Sequence, residues 1–150
     1  MPREITIRLL GPEDAPGVAA LSGDLGYPTA AAEMAGRLAA LLAVPGHVVF
    51  GAFSGGGTLL GWVHACLRLL LIDPPSAFIE GLVVDPGAQL QGVGRALMAA
   101  AEDWARAHGA RVVRLRSGAP RTGAHAFYRA LGYCEGKAAL GFEKTLPSSD

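Results

Sequence analysis

Apolar Ile5, Ile7 and Leu9 alternate with Thr6, Arg8 and Leu10, the period of a strand with one buried face. Gly11-Pro12-Glu13-Asp14 ends that pattern. Val18, Leu21 and Leu25, then Met34, Leu38, Leu41 and Leu42, recur at helical spacings on either side of Gly26-Tyr27-Pro28, which predicts two short helices. Pro45-Gly46 turns the chain into Val48-Val49-Phe50. Beyond Gly55-Gly56-Gly57, the run from Leu59 to Ile72 has the β-branched and aromatic content of longer hairpin strands. Asp73-Pro74-Pro75 forces a turn into a strand from Phe78 to Val84, which Asp85-Pro86 closes because proline cannot continue a ladder and restricts the residue before it. Leu97, Ala101, Trp104 and Ala105 share one face of a helix stopping at Gly109. Val112 to Leu115 reads as a strand, Ala124 to Leu131 as a helix ending at Gly132, and Tyr133 to Leu146 as the closing strands. This order predicts a mixed α/β fold with a partly antiparallel sheet.

Composition narrows the picture. With 150 residues, 51% hydrophobic and 17% charged, residues 1–146 are expected to form a single domain around one core, with 147–150 a frayed tail. Basic and acidic residues balance at 13 each, so no net field favours nucleic acid or an anionic membrane, and a small partner is expected. Cys66 and Cys134 show no CxxC spacing, and no basic segment leads into an apolar signal core, so a reducing cytoplasm is the expected location. The most apolar window, Leu59 to Ile72, contains His64 and Arg68 and is shorter than the roughly 20 residues of a spanning helix, so no membrane partner is expected.

Gln89-Leu90-Gln91-Gly92-Val93-Gly94-Arg95-Ala96 joins the Phe78 to Val84 strand to the following helix. Unpaired N–H groups at a helix start form an anion site, and glycine lets a phosphate approach the main chain. A P-loop needs Gly-Lys-Ser/Thr at its end, and the dinucleotide fingerprint needs Gly or Ala where Leu97 stands, so both fail. Taken alone, the two glycines are also compatible with a simple tight turn.

The stretch Val84-Asp85-Pro86 through Gln89-Leu90-Gln91-Gly92-Val93-Gly94-Arg95-Ala96-Leu97 resembles motif A of the GNAT superfamily of acyl-CoA-dependent N-acetyltransferases. Gln89, Gly92 and Gly94 match its signature of Gln or Arg, two residues, Gly, any residue, then Gly or Ala; Leu90 departs from a glycine common there. Arg121, Ala124, Phe127-Tyr128 and Leu131-Gly132-Tyr133 are similar to motif B. The resemblance implies a sheet with splayed central strands flanked by helices. It also implies acetyl-CoA as cosubstrate, held by Gln89 to Ala96, with its pantetheine arm against the main chain of Leu82, Val83 and Val84.

By the same resemblance, Tyr128 is the acid that protonates the departing thiolate. Glu80, a carboxylate within Phe78-Ile79-Glu80-Gly81-Leu82, stands where several members place the base that deprotonates the attacking ammonium, with His64 or a water as alternatives. The amine is expected between the first two helices, near Leu25, Tyr27 and Met34, and the strands around His64 and Arg68. Peptide, polyamine, aminoglycoside and amino-acid amines stay open, although few acidic residues line these segments, which disfavours strong polycations. Arg95 is a point contact for a CoA phosphate and Arg121 a cap of the last helix. His47 reads as a turn residue, His108 as a helix C-terminal residue, and Cys66 and Cys134 as core fillers. No histidine pair has ligand spacing, so no metal is implied. The apolar run Leu67 and Leu69 to Ile72 suits either a buried strand or a homodimer interface. An enzyme making direct transfer is the leading reading, and a non-catalytic acyl-CoA-binding sensor or interaction module is the alternative.

Overall fold

A computed structural model of the chain describes residues 4–24, 26, 28–89, 91–117, 122–137 and 139–148. The chain divides into two compact units, Met1–Arg116 and Ser117–Asp150.

In the first unit, β1 (Ile5–Leu9) leads through a 3-10 turn to α1 (Ala15–Asp24) and α2 (Ala31–Leu42). Then come β2 (His47–Ser54), β3 (Leu59–Arg68), β4 (Ser76–Val84), a second 3-10 turn, α3 (Val93–Ala107) and β5 (Val112–Leu115). The strands form one sheet in the order β1-β2-β3-β4-β5, antiparallel except for the parallel pair β4 and β5. This is the mixed sheet that the hydrophobic periods predict.

Strand alternation gives the sheet two different faces. On one, Val93, Leu97, Met98, Ala101 and Ala105 of α3 are all buried, and Leu97 and Val93 lie against Gly61 of β3. A Cβ at Gly61 would stand 2.7 Å from the Val83 carbonyl oxygen and 3.2 Å from both of those side chains, so only glycine lets α3 sit this close. On the other face, Leu10, Ala15, Val18, Leu38 and Val49 form a cluster against which Met34, Phe53, Leu59 and Trp62 pack. Met34 is partly buried against this cluster.

β3 stops at Arg68, earlier than the apolar run predicts. Cys66 pairs with His47, the first residue of β2, and Arg68 pairs with Ser76, the first of β4, so both ladder neighbours have ended there. Leu69, Leu71 and Ile72 are left 83%, 105% and 93% exposed, which excludes the buried-strand alternative.

The second unit holds α4 (Thr122–Ala130), closed by the Tyr133 N–H on the Tyr128 carbonyl at 3.0 Å. The closing strands predicted between Tyr133 and Leu146 are not formed among the described residues, and Leu140, Phe142 and Leu146 are exposed. Cys134, expected in a core, is exposed, whereas Cys66 is buried.

Candidate active site

Asp85 ends β4 and accepts a hydrogen bond from the Gly87 N–H at 3.0 Å, starting the turn that Pro86 favours. The Gln91 side-chain amide donates back to the Gly87 carbonyl at 3.2 Å, which draws the loop tight. Gly92 then takes φ +83°, a left-handed value that L side chains avoid, and starts α3 without a side-chain cap. The first intrahelical bond runs from the Ala96 N–H to the Gly92 carbonyl at 3.0 Å. The N–H groups of Val93, Gly94 and Arg95 therefore precede any intrahelical acceptor, at the positive end of a 15-residue helix. Arg95 and Gln89 are exposed beside them, and Leu90 lies outside the described residues.

β5 pairs with β4 only from Ser76 to Ile79. From Gly81 to Val84 the strand keeps β3 on one side, and among the described residues no strand borders it on the other. Leu82, Val83 and Val84 are accordingly half-buried, with main-chain groups on an open edge that leads to the α3 start. An amide-bearing arm fits the edge by strand-type hydrogen bonds, and a diphosphate fits the helix start; these are the two demands of a CoA thioester.

The register between β3 and β4 slips within this stretch. His64 faces Gly81 while Ala65 faces Ile79, leaving Glu80 as the extra residue of a β-bulge. Its carboxylate consequently reaches across β3: Oε1 accepts from Arg68 at 3.0 Å and from the Cys66 thiol at 3.3 Å. Arg68 also lies over the Phe78 ring at 4.0 Å. On the same face, one ring nitrogen of His64 (Nε2) lies 3.0 Å from Nδ1 of His47, the rings stacked with centroids 5.3 Å apart. A polar strip of His47, His64, Cys66, Arg68 and Glu80 thus crosses β2, β3 and β4 beside the apolar cluster.

Each group's protonation follows from these neighbours. Burial, reinforced by the nearby His47 and opposed by the Glu80 carboxylate, holds His64 below the ordinary imidazole value. Burial alone would raise Glu80, but the hydrogen bonds from Cys66 and Arg68 and the charges of Arg68 and His64 outweigh it and hold the carboxyl below its ordinary range. Burial, followed by the Glu80 hydrogen bond and charge, pushes the Cys66 thiol up, as an inert thiol requires.

In the second unit, Tyr128 packs edge-on against Phe127 and Tyr133, with centroids 5.1 and 6.0 Å away. Tyr27, Leu25 and Arg121 lie outside the described residues. Sequence reasoning missed the role of His47, which is a strand residue rather than a turn, and the pairing of Arg68 with Glu80. Both contacts join residues from different strands, and the local pattern carries no record of register.

A helix start whose first N–H groups have no intrahelical acceptor, continuing from an open strand edge, is the arrangement that the resemblance to the acyl-CoA-dependent N-acetyltransferases implies. Residues 21–133 match the acetyltransferase (GNAT) family. The chain is 34% identical over 148 residues to an aminoglycoside N(6')-acetyltransferase type 1 of Stenotrophomonas maltophilia, covering 96% of this chain and 95% of that protein. It is 26% identical over 110 residues to the enzyme of the same name from Serratia marcescens, covering 71% and 75%. Among solved structures it resembles aminoglycoside N-acetyltransferase AAC(6')-Iy in complex with CoA, with a TM-score of 0.85 at 21% identity over 96% of this chain and 97% of that one. The chain belongs to the GNAT family. It is an acetyl-CoA-dependent N-acetyltransferase, and the splayed sheet expected from the motifs is the fold observed.

Proposed function

We propose that this enzyme acetylates an amino group of an aminoglycoside, acting in the cytoplasm as one domain over residues 1–146. The observation that carries this reading is the near full-length match, at 34% identity, to an aminoglycoside N(6')-acetyltransferase. It outweighs the expectation drawn from sparse acidic residues, since a single placed carboxylate such as Glu80 is enough to orient one ammonium group. A homodimer joined through the exposed Leu69 to Ile72 run belongs to the same reading.

Acetyl-CoA supplies the acyl group as an activated thioester. The main-chain N–H groups of Val93, Gly94 and Arg95, with Gly92, hold the diphosphate; Gln89, Leu90, Gln91 and Ala96 shape that loop. The open edge of Leu82, Val83 and Val84 holds the arm, and an N–H there polarises the acyl carbonyl. Glu80, kept ionised by Arg68, anchors the incoming ammonium, and Tyr27 contributes to the substrate wall. His64 takes the ammonium proton: its lowered affinity for protons keeps it neutral at pH 7, while Glu80 is too weak a base once paired. Tyr128 is the proton donor for the departing sulfur.

The test is thiol release and product mass with two aminoglycosides that differ only in a 6'-amine or a 6'-hydroxyl. Acetylation confined to the 6'-amine compound supports the reading. Absence of turnover across an aminoglycoside panel, with CoA binding intact, returns the substrate to the peptide, polyamine and amino-acid amines.

A further inference from the structure

A base must offer a lone pair to the proton it removes, and in a neutral imidazole only one of the two nitrogens has one. His64 Nε2 is already engaged, 3.0 Å from His47 Nδ1. If His47 donates in that contact, His64 carries its hydrogen on Nδ1 and has no free lone pair. If His64 donates from Nε2, its Nδ1 is left as the acceptor. The activity of His64 as a base therefore depends on which way one hydrogen bond points, and that direction is set by a residue on another strand.

We propose that His47 is a positioning residue for the acetyltransferase: as the neutral Nε2–H tautomer it accepts the His64 Nε2 hydrogen at its Nδ1, fixing His64 with Nδ1 free to take the ammonium proton. This rests on the reading of His64 as base given above. In the step itself, the amine N–H bond breaks, a His64 Nδ1–H bond forms, and the electron pair left on the amine nitrogen attacks the acyl carbon. The resulting imidazolium keeps its Nε2–H bonded to neutral His47, a charge-assisted hydrogen bond stronger than the neutral one it replaces. His64 then returns the proton to solvent. The stacked rings hold the arrangement together.

The charges that reach His64 are those of His47 from β2, which disfavours a second proton, and Glu80 from β4, which favours one. Arg68 of β3 faces the same side but is paired with Glu80, and Arg116, past β5, lies 5.7 Å from the Phe78 ring. In α2, Glu33 and Arg37 pair with each other at 2.8 Å.

The tautomer is read directly by long-range 1H–15N correlation of the imidazole nitrogens in the wild-type enzyme at pH 8, independently of turnover. The expected pattern is His64 Nε2–H with His47 Nε2–H; a His64 Nδ1–H tautomer overturns the proposal. Kinetics give the second arm. His47→Ala is expected to lower kcat by on the order of tenfold to a hundredfold with KM for acetyl-CoA unchanged. His47→Asn, whose side-chain oxygen accepts near the Nδ1 position, is expected to recover kcat to within a few fold and to move the acid limb of the pH profile upward, since the nearby ring that helps hold His64 below its ordinary value is gone. An acid limb and kcat identical in wild type and His47→Ala overturn the proposal. Correct tautomers in an enzyme that turns over no aminoglycoside leave the pairing standing and remove the substrate reading instead.

Discussion

Glu80 shows how one residue's chemistry depends on local geometry. A carboxylate in a regular strand at this position would obey the pleat, but the bulge turns it toward Arg68 and Cys66. Because Arg68 can still donate to an amide oxygen, Glu80→Gln keeps the packing and removes the charge. KM for the amine is expected to rise roughly tenfold, about 1.4 kcal/mol, with a smaller effect on kcat, measured by steady-state kinetics. An unchanged KM removes Glu80 as the ammonium anchor. The cysteines separate as clearly: brief treatment with iodoacetamide followed by peptide mass spectrometry is expected to find Cys134 alkylated and Cys66 spared, since the first is exposed and the second is buried with a raised pKa. The glycine loop was legible in the sequence because its residues are contiguous. The His47 and His64 pair was not, because residues 17 apart meet only through strand register.

At the scale of elements, periodicity predicted every helix and the strands of the first unit, since each shows its own face to the core. Ladder ends were less legible: Leu69 to Ile72 has strand composition but, among the described residues, no neighbouring strand to pair with, and partners are a property of the sheet. The packing of α3 on β3 carries the next predictions. Gly61→Ala places a methyl against the Val83 carbonyl as well as Val93 and Leu97. Backbone cannot yield as a side-chain tip does, so β3 and β4 must separate or α3 must lift. Either movement disturbs the edge and the helix start together. A loss of ~1–3 kcal/mol in urea unfolding is expected, with weaker CoA binding by calorimetry. Gly92→Val differs: no atom lies near its Cβ, but φ +83° is strained for a β-branched residue. About 1–2 kcal/mol of stability is expected to go, with CoA affinity falling alongside. Intact CoA affinity in both variants would separate the helix start from the ligand.

The whole molecule's stability should carry the signature of the polar strip as a two-stage dependence on pH. His64 has a folded pKa below its ordinary 6.5, so between those two values the unfolded chain binds more protons than the folded one. Stability then falls as the pH drops through 6.5 and levels off below the folded value. Asp14, lowered by its hydrogen bond with Arg8, and Glu80, lowered through Cys66 and Arg68 against burial, lie below their ordinary 3.8 and 4.5. Their contributions are complete above those values and are lost as the pH falls below them. Urea midpoints taken from pH 8 to 3 are expected to descend first near 6.5 and again below 4.5. His64→Gln, which cannot titrate, is expected to flatten the first descent and leave the second unchanged. If that variant keeps the descent near 6.5, the protonation of His64 is not what destabilises the fold there, and the case for a neutral, buried imidazole poised as a base loses its thermodynamic support. If the first descent disappears, the desolvation that keeps His64 neutral at pH 7 also makes the fold sensitive to mild acid.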